Sequence, residues 1–161
     1  MKLRVGMGFD VHPLEAGRGF FLGGIQLHDA PKGAVGHSDA DVLIHAICDA
    51  LLGAANLRDI GFHFSNTDDR WKGMDSKFFL KEVTRMVQEK GWKIGNVDCT
   101  ICLEKPKINP HIPAMKRVLA PLMSIEDDDI SIKATTNEKL GYIGRDEGVC
   151  AYAVALIQKD L

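Results

Sequence analysis

One aspartate and two histidines near the N-terminus have the side chains and the spacing that a divalent metal site requires. Asp10 and His12 lie two residues apart in a segment typical of a β-strand, so both side chains point to the same side and Val11 points into the core. His45 lies in a later helical segment that can pack on this strand. Three protein ligands with a free fourth position are typical of catalytic zinc sites. Each motif taken alone is equally compatible with ordinary packing.

The helix that carries His45 has other polar residues near it. Asp49 follows one turn later, where it can accept the second ring N–H of His45 or make an ordinary ion pair. Ser38 is a good helix N-cap, with Asp41 three residues further on. Free amides at a helix N-terminus attract anions, so His37 and Ser38 predict a phosphate site there. The alternative for His37 is a histidine in a surface loop.

Two later segments also combine polar groups suited to phosphates. Thr135–Lys139 offers two hydroxyls, an acid and a base, and Glu138 could share a Mg²⁺ ion with substrate phosphates. The loop 103–109 is interrupted by proline, and its backbone could read a base edge while Lys107 meets a phosphate. Polar turns at the ends of strands are the alternative for both segments.

The periodicity of apolar residues predicts the elements that hold these groups. The expected strands are 2–12, 93–104, 130–135 and 149–157, with a hairpin at 20–27 around Gly23-Gly24. The expected helices are 38–52, 75–91 and 110–123, the last broken near Pro121, and the expected loops are 56–74 and 137–147.

This order predicts one α+β domain over residues 1–161, a single mixed sheet with helices packed on one face. The other face would carry too many apolar residues to remain in water. It is expected to be buried against other subunits.

Composition limits the classes of function. The 161 residues are 45% hydrophobic and 26% charged, with a net charge of −2, which gives no sign of nucleic-acid binding. No apolar stretch is long enough to span a membrane. The N-terminal residues lead directly into a strand and resemble neither a signal nor a transit peptide, so we expect a cytoplasmic bacterial protein.

The four cysteines include one CxxC, Cys99 and Cys102. Residues three apart on a strand point to opposite faces, so this pair is poorly placed to share a metal. The sequence therefore predicts four reduced, mostly buried thiols.

Taken together, the ordered motifs resemble one known family over essentially the whole chain, the 2-C-methyl-D-erythritol 2,4-cyclodiphosphate synthases. The motifs are Gly8–His12, His37–Asp41 leading to His45-Ala46, Asp49–Ala54, Asp59–Gly61, Gly95–Asp98, Pro106-Lys107, Pro110–Ile112, Lys133–Thr136 and Glu138–Gly141.

This resemblance implies a reaction and an assembly. The substrate would be 4-diphosphocytidyl-2-C-methyl-D-erythritol 2-phosphate, a cytidine diphosphate derivative. Its 2-phosphate would attack the β-phosphorus, so that a cyclic diphosphate forms and CMP leaves. The family is a homotrimer with active sites between subunits.

The resemblance also implies roles for individual residues. Asp10, His12 and His45 would bind Zn²⁺ or another divalent transition metal, and Glu138 would bind Mg²⁺ or Mn²⁺ between the substrate phosphates. His37 and Thr136 would stabilise the transition state. The expected substrate contacts are Ser38, Asp59, Ile60, Gly61, Phe64, Ser65, Asn66, Thr67, Asp68, Leu103, Lys107, Ile108, Asn109, Thr135, Tyr142 and Arg145.

Three departures from the family pattern leave the expected metal ligands and transition-state residues unchanged, although one of them lies in the expected substrate loop. Met7 replaces the usual histidine, Ala40 replaces a common glycine in what we expect to be a helical turn, and Ser65-Asn66 replaces proline and often aspartate. Other interpretations of the same residues are a metal-dependent phosphodiesterase or phosphatase, a non-enzymatic metal- or nucleotide-binding module, and a structural trimer stapled by the His/Asp cluster.

Overall fold

A five-stranded mixed sheet forms the centre of the computed structural model, which describes residues 1–160. Its strands are β1 (Lys2–Ala16), β4 (Lys32–Ala34), β5 (Lys93–Cys102), β6 (Ile130–Thr135) and β7 (Gly148–Lys159). The strand order is β4-β1-β7-β5-β6, with β5 and β6 parallel and the other pairs antiparallel. The short β4 was not predicted from the sequence, and β1 continues four residues beyond the predicted end.

The two faces of β1 differ sharply. Gly6, Gly8 and Leu14 are buried, and Asp10 and His12 lie half-buried on the same face. The intervening residues point away from the helices, and Val11 is 43% exposed, so its predicted place in the core is wrong. Apolar residues of β1 and β7 share this open face: Leu3, Val5, Met7, Phe9, Val11, Tyr152 and Val154. The predicted uncovered sheet face is therefore present in the single chain.

Helix α1 (Val42–Ala54) lies on the other face, very close to β1. A Cβ atom built on Gly8 would come within 1.9 Å of the carbonyl oxygen of Ala46, and one on Gly6 within 2.0 Å of that of Ala50. Glycine is thus required at both positions for the helix to approach. This approach brings the helix that carries His45 onto the strand that carries Asp10 and His12.

The N-terminus of α1 differs from the prediction. Asp41 is the N-cap, because its carboxylate accepts from the backbone N–H of Ile44 at 3.1 Å. Ser38 is not the cap, and Ala40 is in the left-handed region with φ of 60°, which interrupts any helix that would start at Ser38. Asp41 also accepts from Gly23 N and Gly24 N at 2.9 and 2.7 Å, so it ties the helix to a turn elsewhere in the chain.

That turn joins β2 (Phe21–Leu22) to β3 (Ile25–Gln26), which confirms the predicted hairpin. Gly23 and Gly24 both have positive φ, as a two-residue hairpin loop of this kind requires.

The segment predicted as a loop over 56–74 contains α2 (Ile60–His63) and a 3-10 turn at Asp69–Trp71. Helix α3 (Ser76–Glu89) follows, within the range predicted for it, and Asp75 is its N-cap. An aromatic cluster of Phe64, Trp71, Phe78 and Phe79 holds the α2–α3 segment together, with ring centroids 4.9 to 6.4 Å apart.

The helix predicted over 110–123 begins as a 3-10 turn and becomes α4 (Ile112–Met123). It continues through Pro121 to Met123, so the predicted break near the proline is wrong. The predicted Gly-rich loop 137–147 contains the short helix α5 (Gly141–Gly144).

The four cysteines are free and buried. Cys99 belongs to the main core, whereas Cys102 packs with Cys150 and Ile143 in a separate cluster. The prediction that the CxxC pair divides between the two faces is therefore confirmed. Within residues 1–160, no helix has the length and apolar character needed to cross a membrane.

Candidate metal centre and active site

Asp10, His12 and His45 converge at one point, as their spacing predicted. Asp10 Oδ2 lies 2.9 Å from both His12 Nε2 and His45 Nδ1, and the two ring nitrogens are 3.2 Å apart. All three donor atoms lie within 4.8 Å of one another, and residues 1–160 contain no second such group of three. Each side chain is half-buried, so the donors face a cavity rather than open solvent.

Local structure fixes the ring of His12. Its Nδ1 lies 3.1 Å from the carbonyl oxygen of Val35. A carbonyl oxygen can only accept, so Nδ1 carries a proton, and Nε2, which faces Asp10 and His45, is the nitrogen that can bind a metal. This arrangement is typical of a metal-binding histidine held from behind.

The electrostatics of the three side chains are strongly coupled. Burial acts to raise the pKa of Asp10, but hydrogen bonds and charge interactions with His12 and His45 outweigh it, and the net pKa lies well below the usual range. Burial acts to lower the pKa of His45, and contact with Asp10 reverses this, so its pKa is raised. An environment that stabilises the ionised carboxylate of Asp10 is also suited to a bound cation.

One oxygen and two imidazole nitrogens form a donor set that fits zinc and related divalent transition metals. A three-ligand set leaves coordination positions for a substrate or water. The geometry therefore supports a site in which Asp10, His12 and His45 could bind a divalent metal ion.

A cavity of about 410 Å³ opens beside these ligands. Its walls combine the metal ligands, polar groups from the segment before α1 and aromatic rings from α2 and α3. The lining residues are Asp10, His12, Gly36, His37, Ser38, His45, Ile60, Gly61, Phe64, Asn66, Trp71 and Phe79. Of these, Gly36, Trp71 and Phe79 were not singled out in the sequence.

The predicted substrate loop reaches this cavity in part. Ile60, Gly61, Phe64 and Asn66 line it, whereas Asp59 caps α2 by accepting from Phe62 N at 2.8 Å. Two of the remaining residues are tied to each other, because the hydroxyls of Ser65 and Thr67 lie 2.8 Å apart.

His37 is anchored by the same loop. Its Nε2 lies 3.0 Å from the carbonyl oxygen of Asp68, and the carboxylate of Asp68 is held by Arg70 at 2.6 Å. The contact with Arg70 lowers the pKa of Asp68. His37 is thus a wall of the cavity rather than a free surface histidine.

Two predictions about α1 are wrong. His37 and Ser38 do not lie at the helix start, because α1 begins at Val42 with Asp41 as its N-cap, and the carboxylate of Asp41 accepts from the N–H of Ile44 at 3.1 Å. Asp49 does not contact the ring of His45. Its carboxylate instead accepts from Ile60 N at 2.8 Å and so fixes the start of α2.

The second set of predicted residues lies apart from the cavity. Residues 103–109, Thr135, Thr136, Glu138, Tyr142 and Arg145 are all absent from its lining. Leu103 and Ile108 are buried, whereas Lys107, Asn109, Thr135, Thr136, Glu138, Tyr142 and Arg145 are exposed.

These residues nevertheless form a coherent second region, which we call the Glu138 loop (residues 103–109 and 135–139). Glu104 joins its two segments by accepting from Asn137 N at 2.9 Å and Lys139 N at 3.4 Å. Glu138 and Lys139 have φ of 52° and 63°, and this turn points the Glu138 side chain outward. Arg145, nearby in sequence, is held by Glu147 at 2.9 Å.

Known proteins resemble this chain over its full extent. A family model described as the YgbB family matches residues 3–158. The 2-C-methyl-D-erythritol 2,4-cyclodiphosphate synthase of Cytophaga hutchinsonii is 70% identical over 159 residues, which are 99% of each chain.

Solved structures agree with the sequence comparison. A 2C-methyl-D-erythritol-2,4-cyclodiphosphate synthase with bound CDP is 40% identical with a TM-score of 0.88, over 96% of this chain and all of that one. The bifunctional IspDF of Campylobacter jejuni is 37% identical with a TM-score of 0.94, and the match covers 99% of this chain and 43% of that longer protein. On this sequence match, fold and metal geometry, the chain belongs to the YgbB family.

Proposed function

We propose that this protein is a metal-dependent lyase that converts 4-diphosphocytidyl-2-C-methyl-D-erythritol 2-phosphate into 2-C-methyl-D-erythritol 2,4-cyclodiphosphate and CMP. It would act in the non-mevalonate route to isoprenoid precursors. The observation that carries the proposal is the convergence of Asp10, His12 and His45 beside a cavity, in a chain 70% identical to a synthase of that name.

The chemistry of the substrate explains the composition of the site. The nucleophile is an oxygen of the 2-phosphate, already ionised near neutral pH because the second phosphate pKa is about 6. No general base is required, and the difficulty is to bring two anions together. When bound, a divalent metal offsets this repulsion and stabilises charge on the phosphates.

The residues of the cavity would position the substrate for in-line attack. Asp10, His12 and His45 would hold a zinc ion, and His37 and Ser38 would lie beside the phosphates. Ile60, Gly61, Phe64 and Asn66 hold the methylerythritol portion, and Asp59 and Ser65–Asp68 keep that wall in place. Correct placement of the reacting atoms can supply much of the rate enhancement in phosphoryl transfer.

The Glu138 loop would supply the other half of the site. Glu138 would bind Mg²⁺ or Mn²⁺ together with the α- and β-phosphates, and Thr135 and Thr136 would contact the same phosphates. Leu103, Lys107, Ile108 and Asn109 would hold cytidine, and Tyr142 and Arg145 would line the edge of the site. CDP bound to a related synthase is compatible with such a nucleotide pocket.

We infer that the protein acts as a homotrimer. The open sheet face carries Met7, Phe9 and Val154, all at least 42% exposed in the single chain, and association would remove this apolar surface from water. The separation of the cavity from the Glu138 loop within one chain supports a site formed between neighbouring subunits.

A phosphorus NMR assay tests the reaction directly. The protein is mixed with the diphosphocytidyl substrate and Mg²⁺, before and after zinc is stripped. We expect a metal-dependent pair of coupled cyclic-diphosphate signals that grows together with CMP.

The competing functions give different spectra. CMP with a linear phosphate product would establish a phosphodiesterase instead. An unchanged substrate in the presence of a metal-loaded protein would leave a binding module or a structural trimer.

A further inference from the structure

The ring nitrogen of His45 that faces away from Asp10 enters a chain of hydrogen bonds with two residues to which no role has been given above. His45 Nε2 lies 2.9 Å from Ser76 Oγ, and Ser76 Oγ in turn donates to Asp39 Oδ1. We propose that Asp39 and Ser76 are positioning residues that fix the tautomer of His45, so that Nδ1 presents its lone pair to the metal.

The direction of each hydrogen bond follows from the chemistry of the groups. An ionised carboxylate can only accept, so the hydroxyl proton of Ser76 points to Asp39. The oxygen of Ser76 then has only lone pairs to offer His45, and Nε2 must be the protonated nitrogen. With a proton held on Nε2, Nδ1, which contacts Asp10 Oδ2 at 2.9 Å, is the nitrogen that gives up its proton when a metal binds beside Asp10.

The backbone holds this chain in place. Ser76 is fully buried at the first turn of α3, and its own N–H donates to Asp39 Oδ2 at 3.0 Å. Asp39 N donates to the carbonyl oxygen of Met74 at 3.1 Å. Both carboxylate oxygens are therefore used, and the serine proton is left with one direction in which to point.

Ser38 offers a second hydroxyl, 3.2 Å from His45 Nε2, but it cannot set the tautomer. Its Oγ accepts from Ala40 N at 3.3 Å, and among residues 1–160 no carboxylate accepts its proton. A hydroxyl of this kind can donate to Nε2 as readily as it accepts. The commitment of the serine proton to a carboxylate is what distinguishes Ser76.

The same logic holds for both imidazole ligands, by different means. The carbonyl oxygen of Val35 fixes His12 with Nδ1 protonated, and the Asp39–Ser76 pair fixes His45 with Nε2 protonated. Each ring thus turns its lone pair to the same point.

Zinc affinity, measured by competition with a chelator, tests the proposal. The variants are Asp39→Asn, Ser76→Ala and the double variant, with Asp75→Asn as the matched control. Asp75 is the adjacent carboxylate that caps α3 through Lys77 N, with no contact to His45. In Asp39→Asn the amide can donate to Ser76, which frees the serine proton to point at Nε2.

We expect each single variant to weaken zinc binding by about 10- to 100-fold and Asp75→Asn to leave it unchanged. The double variant should bind no more weakly than the weaker single variant, because Asp39 acts through Ser76. Unchanged affinity in the single variants, or losses that multiply in the double variant, would overturn the proposal.

Two further measurements separate positioning from loss of structure. The melting temperature of zinc-free protein shows whether a variant folds. NMR of zinc-bound wild-type protein with ¹⁵N-labelled histidine identifies which ring nitrogen binds zinc and which carries the proton. The proposal requires zinc on Nδ1 and a proton on Nε2 of His45. Zinc on Nε2 of His45 would contradict it whatever the variants do.

The inference rests on the proposed metal centre but not on the proposed reaction. If wild-type protein bound no zinc, the metal centre itself would fail. If it bound zinc and the variants bound it equally well, the roles of Asp39 and Ser76 alone would fail, and turnover of the wild-type enzyme would be unaffected.

Discussion

The cavity at Asp10, His12 and His45 and the Glu138 loop are held by different kinds of contact. Around the cavity, ring nitrogens and carboxylates engage one another at 2.9 to 3.2 Å, and glycines let α1 lie directly on β1. In the Glu138 loop, Glu104 secures the backbone, while the side chains proposed to bind phosphates are exposed and make few contacts.

This difference shows how the work is divided within one chain. The metal half of the proposed site, formed by Asp10, His12 and His45, lies within one chain, because its residues come from a strand and a helix that pack on each other. The proposed nucleotide half, the Glu138 loop, consists mainly of exposed side chains, and in the proposed trimer a neighbouring subunit would supply its partners. The predictions below alter one half at a time.

Removal of a metal ligand should have the largest effect. His45→Ala is expected to reduce turnover by at least about 10³-fold and to abolish zinc binding at this site, because two ligands cannot retain the ion. Product formation is followed by phosphorus NMR, and circular dichroism checks the fold. His28→Ala, an exposed histidine, is the control. Near-normal turnover of His45→Ala in metal-free buffer would disprove the role of this centre.

A charge on the open sheet face should separate the two halves without touching either. Val154→Asp is expected to convert the proposed trimer to monomers, because an unpaired carboxylate buried in the proposed interface would cost too much free energy. Turnover should then fall by about 10²-fold or more, since only assembled subunits join the two halves.

Light scattering measures the mass of this variant against the 17.7 kDa of one chain. Gln88→Asp, on the outer surface of α3, should remain trimeric and active. A monomeric Val154→Asp protein with full activity would show that one chain contains the whole site.

Loss of charge at Glu138 should affect the nucleotide half alone. Glu138→Gln is expected to lower turnover by about 10²-fold, because the amide binds Mg²⁺ or Mn²⁺ weakly. Zinc affinity should match that of wild-type protein, and extra Mg²⁺ should restore part of the activity. Equal turnover of wild-type and Glu138→Gln protein at limiting Mg²⁺ would show that Glu138 does not bind the metal ion.

Asp41→Asn should lower the stability of the fold around the cavity more than it lowers turnover. Asp41 is fully buried and accepts from three backbone N–H groups, and burial raises its pKa. The substitution leaves a buried donor without an acceptor, so we expect a loss of about 2 kcal/mol in stability. Thermal unfolding measures it, with the exposed cap Asp75→Asn expected to cost less. Equal losses would show that the hairpin contact contributes nothing.

The metal ligands could be predicted from the sequence because they depend on local periodicity. Asp10 and His12 share a face of one strand, and His45 lies on the inner side of the next long helix. The parallel strand pair β5–β6, with β6 at 130–135, could be located in the same way. Short-range rules suffice where an element is regular.

The rest depended on contacts between distant parts of the chain. Asp41 caps α1, and the residue before it, Ala40, has a left-handed conformation. An alanine side chain does not favour this conformation, so the sequence could not predict it. Asp49 turns to Ile60 rather than to His45, and Ser76 reaches His45 from 31 residues away. The sequence indicated that a helix starts near Asp75 and Ser76, but it did not indicate that Ser76 contacts His45.

Mixing two inactive variants tests the central claim that the metal half and the nucleotide half meet between subunits. His45→Ala and Glu138→Gln proteins are unfolded together, refolded as mixed trimers and assayed for cyclic diphosphate. The account predicts recovery to about a quarter of wild-type activity at a one-to-one ratio, because about one interface in four then joins two intact halves. Activity no higher than that of the two variants assayed separately would contradict it and place both halves within one chain.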